Sequence, residues 1–524
     1  MSPSDVILRC LNDSGYTPKR SELGRIIQEL GSLSREDSQR VQRVLLRAGL
    51  PAADVAIAAL TNAEGELRNE IVALLGRFAS AQPDPRLFEP LLSALDHGSP
   101  RCRRLAAAGL GKLGDPRAEA ALLHALPEAP PDLLRAIAEA LGKVGSEKAL
   151  SALAALNASD PELARRREQA SLLVQRRLGR TQEATLALDR RLPQPMRMRA
   201  DCRRGLARLL AQELATFGAR VSSDSSVDFE HAGSLRELLV ARTALSFGFL
   251  LQFAATAGDR SARIASTLAD VRVSAAVSAW TRGRPRFRLE WRDAGHQRAA
   301  TWAVVRELSE RTSELVNDPR DANWVLEVSP EPAGEMCLRV VLEPDPRFAY
   351  RRKDVPAASH PTVAAALARV AGVRENDVVW DPFVGSGLEL CERALLGPYK
   401  KLIGSDIDAR ALSAARANLE CASISAFELI EADLRVFTPE HVTLVISNPP
   451  MGRRVARDGS LGPLLRSFIE RVSIALRGTG RAVFLSPLPE RTERWAVENG
   501  LGCERGTSVD LGGFDAEIQL LTRN

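Results

Sequence analysis

No Cys-x-x-Cys pair occurs among the seven cysteines, Cys10, Cys102, Cys202, Cys337, Cys391, Cys421 and Cys503, and the six histidines are scattered. That spacing argues against a disulfide framework and a structural zinc centre, and it fits a reducing cytoplasm. Long apolar runs are missing too. The most apolar window, Leu245 to Ala255, is too short to cross a bilayer and is interrupted by Gln252. The opening Met-Ser-Pro-Ser-Asp carries no basic-then-apolar signal pattern. A cytoplasmic protein with no membrane association is expected. Charge of one sign is in small excess: +5 over 524 residues does not by itself argue for nucleic acid. Arginine greatly outnumbers lysine, which favours phosphate-matching forks and equally suits a GC-rich genome. What is present is an ordinary globular composition, 45% apolar and 26% charged, on a chain long enough for roughly three or four domains.

The N-terminal third is self-similar. Leu105 to Gly114 recurs as Ala136 to Gly145, and a looser copy runs from Ile71 to Phe78. Each copy reads as an Ala/Leu-rich helix ended by glycine, followed by a second apolar stripe such as Ala118 to Leu126 or Ala149 to Leu156. Ser99-Pro100 and Asp160-Pro161 are N-cap plus N1-proline starts. Two short helices per repeat resemble the HEAT-like repeats, and residues 1–190 are expected to form an all-α solenoid. Such units bury their faces only by stacking. Either a curved surface for a protein partner or a packing extension follows from this.

Residues 165–208 are rich in arginine, a solvated helix face or a phosphate-tracking surface. From 196 to 350 helices and strands mix. Arg203 to Phe217 reads as an amphipathic helix, and Leu235 to Phe249 contains another. Arg282 to Trp291, if extended, puts Arg282, Arg284, Arg286 and Arg288 on one face of an edge strand, facing RNA. A solvated edge that resists aggregation is the alternative. Gly205-Leu206-Ala207 with Glu213-Leu214, Leu315-Val316-Asn317 with Trp324 to Val328, and Arg351-Arg352-Lys353 resemble the α+β ferredoxin-like and THUMP region of certain RNA-modifying enzymes. The resemblance implies that residues 196–350 grip tRNA or rRNA, with Arg351 and Arg352 among the RNA contacts.

The C-terminal third places four polar turns at the ends of four apolar strands. Val378-Val379-Trp380 reads as the first, followed by Asp381-Pro382-Phe383-Val384-Gly385-Ser386-Gly387 before a helix near Leu388. Ligands of doubly wound sheets bind at carboxyl strand ends, where glycines let them approach the backbone. The spacing is not Gly-x-Gly-x-x-Gly, so a dinucleotide pyrophosphate is not the natural ligand. Lys401 to Asp408 brings Asp406 to a second strand end, placed to accept two ribose hydroxyls. Leu429 to Asp433 puts Asp433 at a third, suited to an adenine amino group, with Ile407 and Leu434 on either side of the ring. Val442 to Ile446 reads as a buried fourth strand, and Ser447-Asn448-Pro449-Pro450-Met451-Gly452 follows it. Proline fixes its own φ and restricts its predecessor, so the carbonyls of this corner have few directions to point. An amide beside fixed carbonyls holds an amino group on two acceptors; alone, the stretch also suits an ordinary Pro-rich turn.

The ordered set of Asp381 to Gly387, Asp406, Asp433 and Asn448-Pro449-Pro450 resembles the class I S-adenosylmethionine-dependent methyltransferases, in the branch that modifies exocyclic amines of bases. The resemblance covers residues 351–524 and implies a Rossmann-like α/β domain. It also implies that Asp381, Phe383, Gly385, Gly387, Asp406, Ile407, Asp433 and Leu434 hold S-adenosylmethionine. Asn448, Pro449, Pro450 and Met451 would hold the target amine, with Arg453 and Arg454 beyond as phosphate anchors. Relatives usually carry an aromatic residue at the position of Met451, stacked on a flipped base. The expectation is therefore an RNA guanine-N2 methyltransferase with no metal. A non-catalytic RNA-binding scaffold, and an adenine-N6 or protein-side-chain amine methyltransferase, remain alternatives.

Overall fold

Small residues set the spacing of the N-terminal helices. The computed structural model describes residues 3–13, 15–157, 160–181, 183–255, 258–292, 297–330, 334–356, 358–452 and 461–523. The chain divides into two units, Met1–Glu183 and Ala184–Asn524.

The first unit is helical throughout, and four of its helices stack in succession: α1 (Gly65–Ala81), α2 (Pro100–Leu113), α3 (Pro131–Val144) and α4 (Pro161–Thr181). A Cβ on Gly111 would lie 2.7 Å from the Ala140 Cα, and one on Gly142 would lie 2.8 Å from the Ala170 Cα. These glycines sit inside helices, where they let neighbouring backbones approach. The chain-turning glycine of α2 is Gly114, at φ 74°. Ser99 caps α2 by accepting from the Cys102 amide at 3.2 Å, and Asp160 starts α4 by accepting from the Glu162 amide at 3.2 Å. Much of the arginine-rich run is engaged locally. Arg165 pairs with Glu162, Arg166 with Glu139 and Glu162, and Arg167 donates to the Leu156 carbonyl. The run does not end with the first unit: it continues past Glu183 into the second.

In the second unit an eight-stranded sheet precedes a seven-stranded one. The eight-stranded sheet orders Arg220–Ser223, Ser226–His231, Met196–Cys202, Ala244–Gln252, Glu335–Val340, Trp324–Val328, Arg286–Trp291 and Val316–Asn317. Stacked rings fill its core, with Phe249 5.4 Å and Trp280 6.5 Å from Trp324. The expected helix within Leu235 to Phe249 shrinks to Leu235–Leu238, because Ala244–Gln252 is an almost wholly buried central strand.

The seven strands of the second sheet are β1 (Val378–Asp381), β2 (Lys401–Asp406), β3 (Phe427–Glu431), β4 (Val442–Ser447), β5 (Leu476–Ser486), β6 (Leu501–Asp510) and β7 (Asp515–Arg523). Their spatial order is β3-β2-β1-β4-β5-β7-β6, with β1 to β5 parallel and β7 antiparallel to both neighbours. The order reverses between β1 and β4, which makes that crevice the expected ligand site. Helices α5 (Pro361–Ala371), α6 (Leu388–Leu396) and α7 (Ala409–Cys421) belong to the same sheet's layers. Buried polar contacts join the two sheets. Glu392 receives Arg242 Nε at 2.6 Å and the Tyr350 hydroxyl at 2.5 Å, while Arg369 Nε pairs with Glu213 at 3.1 Å.

Crowding at a helix crossing has a measurable cost. Gly111→Val should lower the stability of the helical array by about 1–3 kcal/mol, read as an earlier far-ultraviolet circular dichroism transition on heating.

Candidate active site

The strand ends of the switch crevice converge. The Ser447 hydroxyl, at the end of β4, donates to Asp381 Oδ1 at 2.7 Å, and the Phe383 amide donates to the same oxygen at 3.1 Å. Asp381 is fully buried, and its Oδ2 has no hydrogen-bond partner among the described residues. Burial, then the neighbouring Glu389 carboxylate, pushes the Asp381 carboxyl well above the usual carboxylate range. Gly385 and Gly387 follow at φ 49° and 79°, the left-handed region that glycine tolerates. At Gly387 packing adds a second demand, since a Cβ would sit 3.1 Å from the Ala415 Cβ on α7. The Gly385 amide donates to Asp406 Oδ2 at 3.0 Å, and the Asp408 amide donates to Oδ1 at 3.0 Å. Each carboxylate oxygen keeps a lone pair for a ligand hydroxyl.

Beyond β3, Asp433 forms a two-pronged pair with Arg435, which holds its carboxyl below the usual range. Ile407 and Leu434 differ in exposure. Ile407 is 72% exposed, whereas Leu434 is 3% exposed within a core cluster containing Trp380 and Ile403. Phe383 is half-buried, its ring 5.9 Å from that of Phe468.

At the corner after β4, the Asn448 amide Nδ2 donates to Ser359 Oγ at 2.8 Å. The Ser359 hydroxyl in turn donates to Glu389 Oε1. Direction passes along this chain: a hydroxyl that gives its proton to a carboxylate has only lone pairs left for Asn448. The amide is therefore held with Nδ2 toward Ser359, and Asn448 Oδ1 is left as a buried acceptor without a partner among the described residues. Pro449 is buried and Pro450 half-buried; Met451 packs partly buried against the main core of this unit. Ser359 and Glu389 were not anticipated. Glu389 opens the helix after the glycine loop and resembles an ordinary surface acid in sequence. Ser359 lies 89 residues before Asn448 with no motif of its own. Asn418, fully buried, is a third such residue: its Oδ1 accepts from the Arg352 and Lys353 amides at 2.8 and 2.9 Å, and its Nδ2 donates to the Ser386 carbonyl. It pins residues 352–353 to the glycine loop.

The four-arginine strand face is corrected. Thr281–Arg282 pairs with Thr185–Leu186 in a separate small sheet, and Gly283 at φ 81° breaks the extension before Arg286–Trp291. Arg286 is buried and pairs with Asp321 at 2.9 Å. Arg284 donates to the Ser313 carbonyl and Arg288 pairs with Glu290, while Arg282 is exposed. Burying the tip of Arg286 is favourable only with its acid partner, which is why period-two reasoning failed there. Arg351 pairs with Asp354, and Arg352 Nε contacts Cys421 Sγ at 3.3 Å. Arg453 and Arg454 lie outside the described residues.

Comparison with known proteins follows this geometry. Residues 349–514 match the family described as RMKL-like, methyltransferase domain. The C-terminal domain is a class I methyltransferase domain. HEAT repeats match residues 53–137 and 88–173. A tRNA (guanine(6)-N2)-methyltransferase of Thermus thermophilus is 29% identical over 46% of this chain and 73% of its own length. A tRNA (guanine(10)-N2)-dimethyltransferase of Methanothermobacter thermautotrophicus is 31% identical over 25% of this chain and 39% of its own. The crystal structure of TrmN from Thermus thermophilus superposes at TM-score 0.51 with 24% identity, over 63% of this chain and all of that one, which shows the fold. S-adenosylmethionine is the cofactor of class I methyltransferases, and the residues of this domain fit it. Two left-handed glycines keep the loop free of side chains, Asp406 offers its lone pairs at the end of β2, and the orphaned Asp381 Oδ2 suits a cationic group.

The buried acids give this domain a pH signature. Burial pushes the Glu389 carboxyl up to about 7. The folded state therefore holds its proton longer than the unfolded chain, so the stability from this group is full at low pH and is lost as pH rises toward 7. Glu389→Gln should remove that loss, on the order of 3 kcal/mol, so that its denaturant midpoint exceeds the parent's at pH 8 and not at pH 4.

Proposed function

We propose that the chain is an RNA methyltransferase that moves a methyl group from S-adenosylmethionine to the exocyclic N2 amine of a guanosine in tRNA or rRNA. The observation that carries this reading is the buried, unpartnered Asn448 Oδ1, held outward by Ser359 beside the glycine loop of a methyltransferase domain. The names of the similar proteins, guanine-N2 methyltransferases of tRNA, support guanosine over adenine. Residues 1–190 are read as HEAT-like repeats, 196–350 as the ferredoxin-like and THUMP region, and 351–524 as the catalytic domain. A mixed sheet of eight strands with helices between them supports the α+β character of the middle region. Among the described residues no helix is long and apolar enough to cross a membrane, and all seven cysteines are unpaired, in keeping with the cytoplasm.

The lone pair of a guanine exocyclic amine is delocalised into its ring and is a weak nucleophile. Asn448 Oδ1 and the Pro449 carbonyl would accept its two N–H groups, which localises the lone pair and aims it. Ser359 and Glu389 act through Asn448: they keep its amide from turning a donor toward the amine. Asp381 and the backbone of Gly385 and Gly387 would hold the methionine part of the cofactor, Asp406 its ribose and Asp433 its adenine. When bound, S-adenosylmethionine supplies an electrophilic methyl on a positively charged sulfur. No strong base is required among the residues of the corner, because the amine becomes acidic once alkylated and sheds its proton to water. Met451 gives the base a softer and more mobile contact than an aromatic ring; aromatic stacking is worth about 1–3 kcal/mol per base.

Asn448→Ala should abolish methyl transfer while S-adenosylmethionine still binds by calorimetry. Ser359→Ala should lower kcat about 10- to 100-fold, the range of a misaligned hydrogen-bonding group, with little change in cofactor affinity. Mass spectrometry of nucleosides from cells lacking the protein should show loss of N2-methylguanosine. Retention of every such nucleoside, or failure of the purified chain to bind S-adenosylmethionine, would sink the reading.

A further inference from the structure

We propose that Arg77, Lys112 and Lys143, one from each of three successive stacked helices of the repeat array, form a cation ladder that holds the phosphate backbone of the RNA. Only the choice of RNA rests on the function proposed above; the ladder itself is a property of the repeats.

The register of the helices produces it. Gly76, Gly111 and Gly142 each lie against the next helix of the stack, facing Gly109, Ala140 and Ala170. The residue after each glycine is a cation, Arg77, Lys112 and Lys143. Lys112 and Lys143 are exposed and Arg77 is half-buried. The Lys112 ammonium is held below its usual range first by partial burial, then by Lys143 and Arg77, against a smaller opposing pull from Glu139. The next helix adds a fourth guanidinium, since Arg177 on α4 donates to the Lys143 carbonyl.

The neighbouring acids are used elsewhere. At the opposite ends of these helices, Arg101 pairs with Glu66 and Glu70, Arg135 with Asp132 and Asp160, and Arg166 with Glu162. One turn before Arg77 and Lys112 stand Ala73 and Ala108, where an i,i+4 acid would otherwise sit. Asp115, just beyond Lys112, pairs with Arg117 at 2.6 Å. Lys143 does have an acid, Glu139 at 2.9 Å, but Arg166 draws on the same carboxylate. Among the described residues neither Arg77 nor Lys112 has an ion-pair partner.

A cation in the last turn of a helix is favourable on its own because it faces the negative end of the helix dipole. That accounts for Lys112 or Lys143 singly. It does not account for like charges kept within reach of one another, which costs stability until a counter-charge arrives. Adjacent helix axes run about 8–10 Å apart, comparable with the Debye length of about 8 Å at physiological salt. One cation per helix step at that spacing suits a polymer with regularly repeated negative charge. Ala73 and Ala108, one turn before Arg77 and Lys112, present only methyl groups to a peptide side chain, so RNA is preferred to an acidic protein.

The test uses the intact chain with all three positions changed to glutamine, R77Q/K112Q/K143Q, and tRNA as probe, read by fluorescence anisotropy over a salt series. Each lost phosphate contact should flatten the slope of log K against log salt by about 1, so the triple variant should lose about 3 and bind at least tenfold more weakly. K112R/K143R should bind tRNA as the parent does. If the triple variant misfolds by circular dichroism, Lys112→Gln alone, at an exposed position, should flatten the slope by about 1. Unchanged tRNA affinity and slope in a folded variant overturn the ladder, as does weakening of binding to an acidic protein such as poly-glutamate with tRNA binding intact. Cofactor binding by calorimetry separates the two readings. A ladder-dependent RNA binder that takes up no S-adenosylmethionine keeps this inference and overturns the proposed function.

Discussion

One buried hydrogen bond, from the Ser447 hydroxyl to Asp381, joins the two halves of the catalytic sheet where its strand order reverses. Both residues are fully buried, so the bond works without competition from water. It fixes the end of β4 against the end of β1, and with them the asparagine corner against the glycine loop. Every other feature of the site is referred to that pair of strands. Asp406 is tied to the glycine loop by the Gly385 amide, and Asn448 is tied to α6 through Ser359 and Glu389. The cost is a fully buried carboxyl with one oxygen unmatched among the described residues, a group that calls for a compensating ligand, water or ion.

The same logic extends outward from the crevice. Glu392, also on α6, takes up Arg242 and Tyr350 from the preceding region, so the helix that carries Glu389 is anchored on both sides. Arg203 donates to the Asp510 carbonyl, and Gly205 meets Ser508 so closely that no side chain fits between them. The middle sheet and the catalytic sheet therefore share a polar, well-bonded seam. A surface built on the middle region is held in fixed relation to the strand ends, which suits recognition of a large substrate at a distance from the reacting amine.

Charge was the least reliable guide and the repeats the most reliable. The period of the Ala/Leu-rich copies was visible because stacking helices must repeat their small contact residues, and Gly111 and Gly142 do so against Ala140 and Ala170. The arginine stripe from Arg282 to Arg288 was misread because a period of two says which face a side chain leaves from, not where its guanidinium ends. A glycine bend and a buried pair with Asp321 redistributed it. The ribose-side acid and the asparagine corner were legible as strand-end motifs, whereas the unequal burial of Ile407 and Leu434 was not, since packing alone puts one side chain in the core and the other in solvent.

By itself the amino-acid order determined that four polar turns follow four apolar strands in the C-terminal third, and that the N-terminal part is a repeat array. Those properties are local: apolar period, proline and glycine chemistry, and spacing along the chain. Only the tertiary structure decided which distant groups meet. Ser359 and Glu389 orient Asn448 across long stretches of chain, Asn418 pins residues 352–353 to the glycine loop, and Arg77, Lys112 and Lys143 come into register only when helices stack. The physical reason is that a hydrogen bond or a shared electrostatic field depends on separations of a few ångströms in space, and packing alone sets those separations.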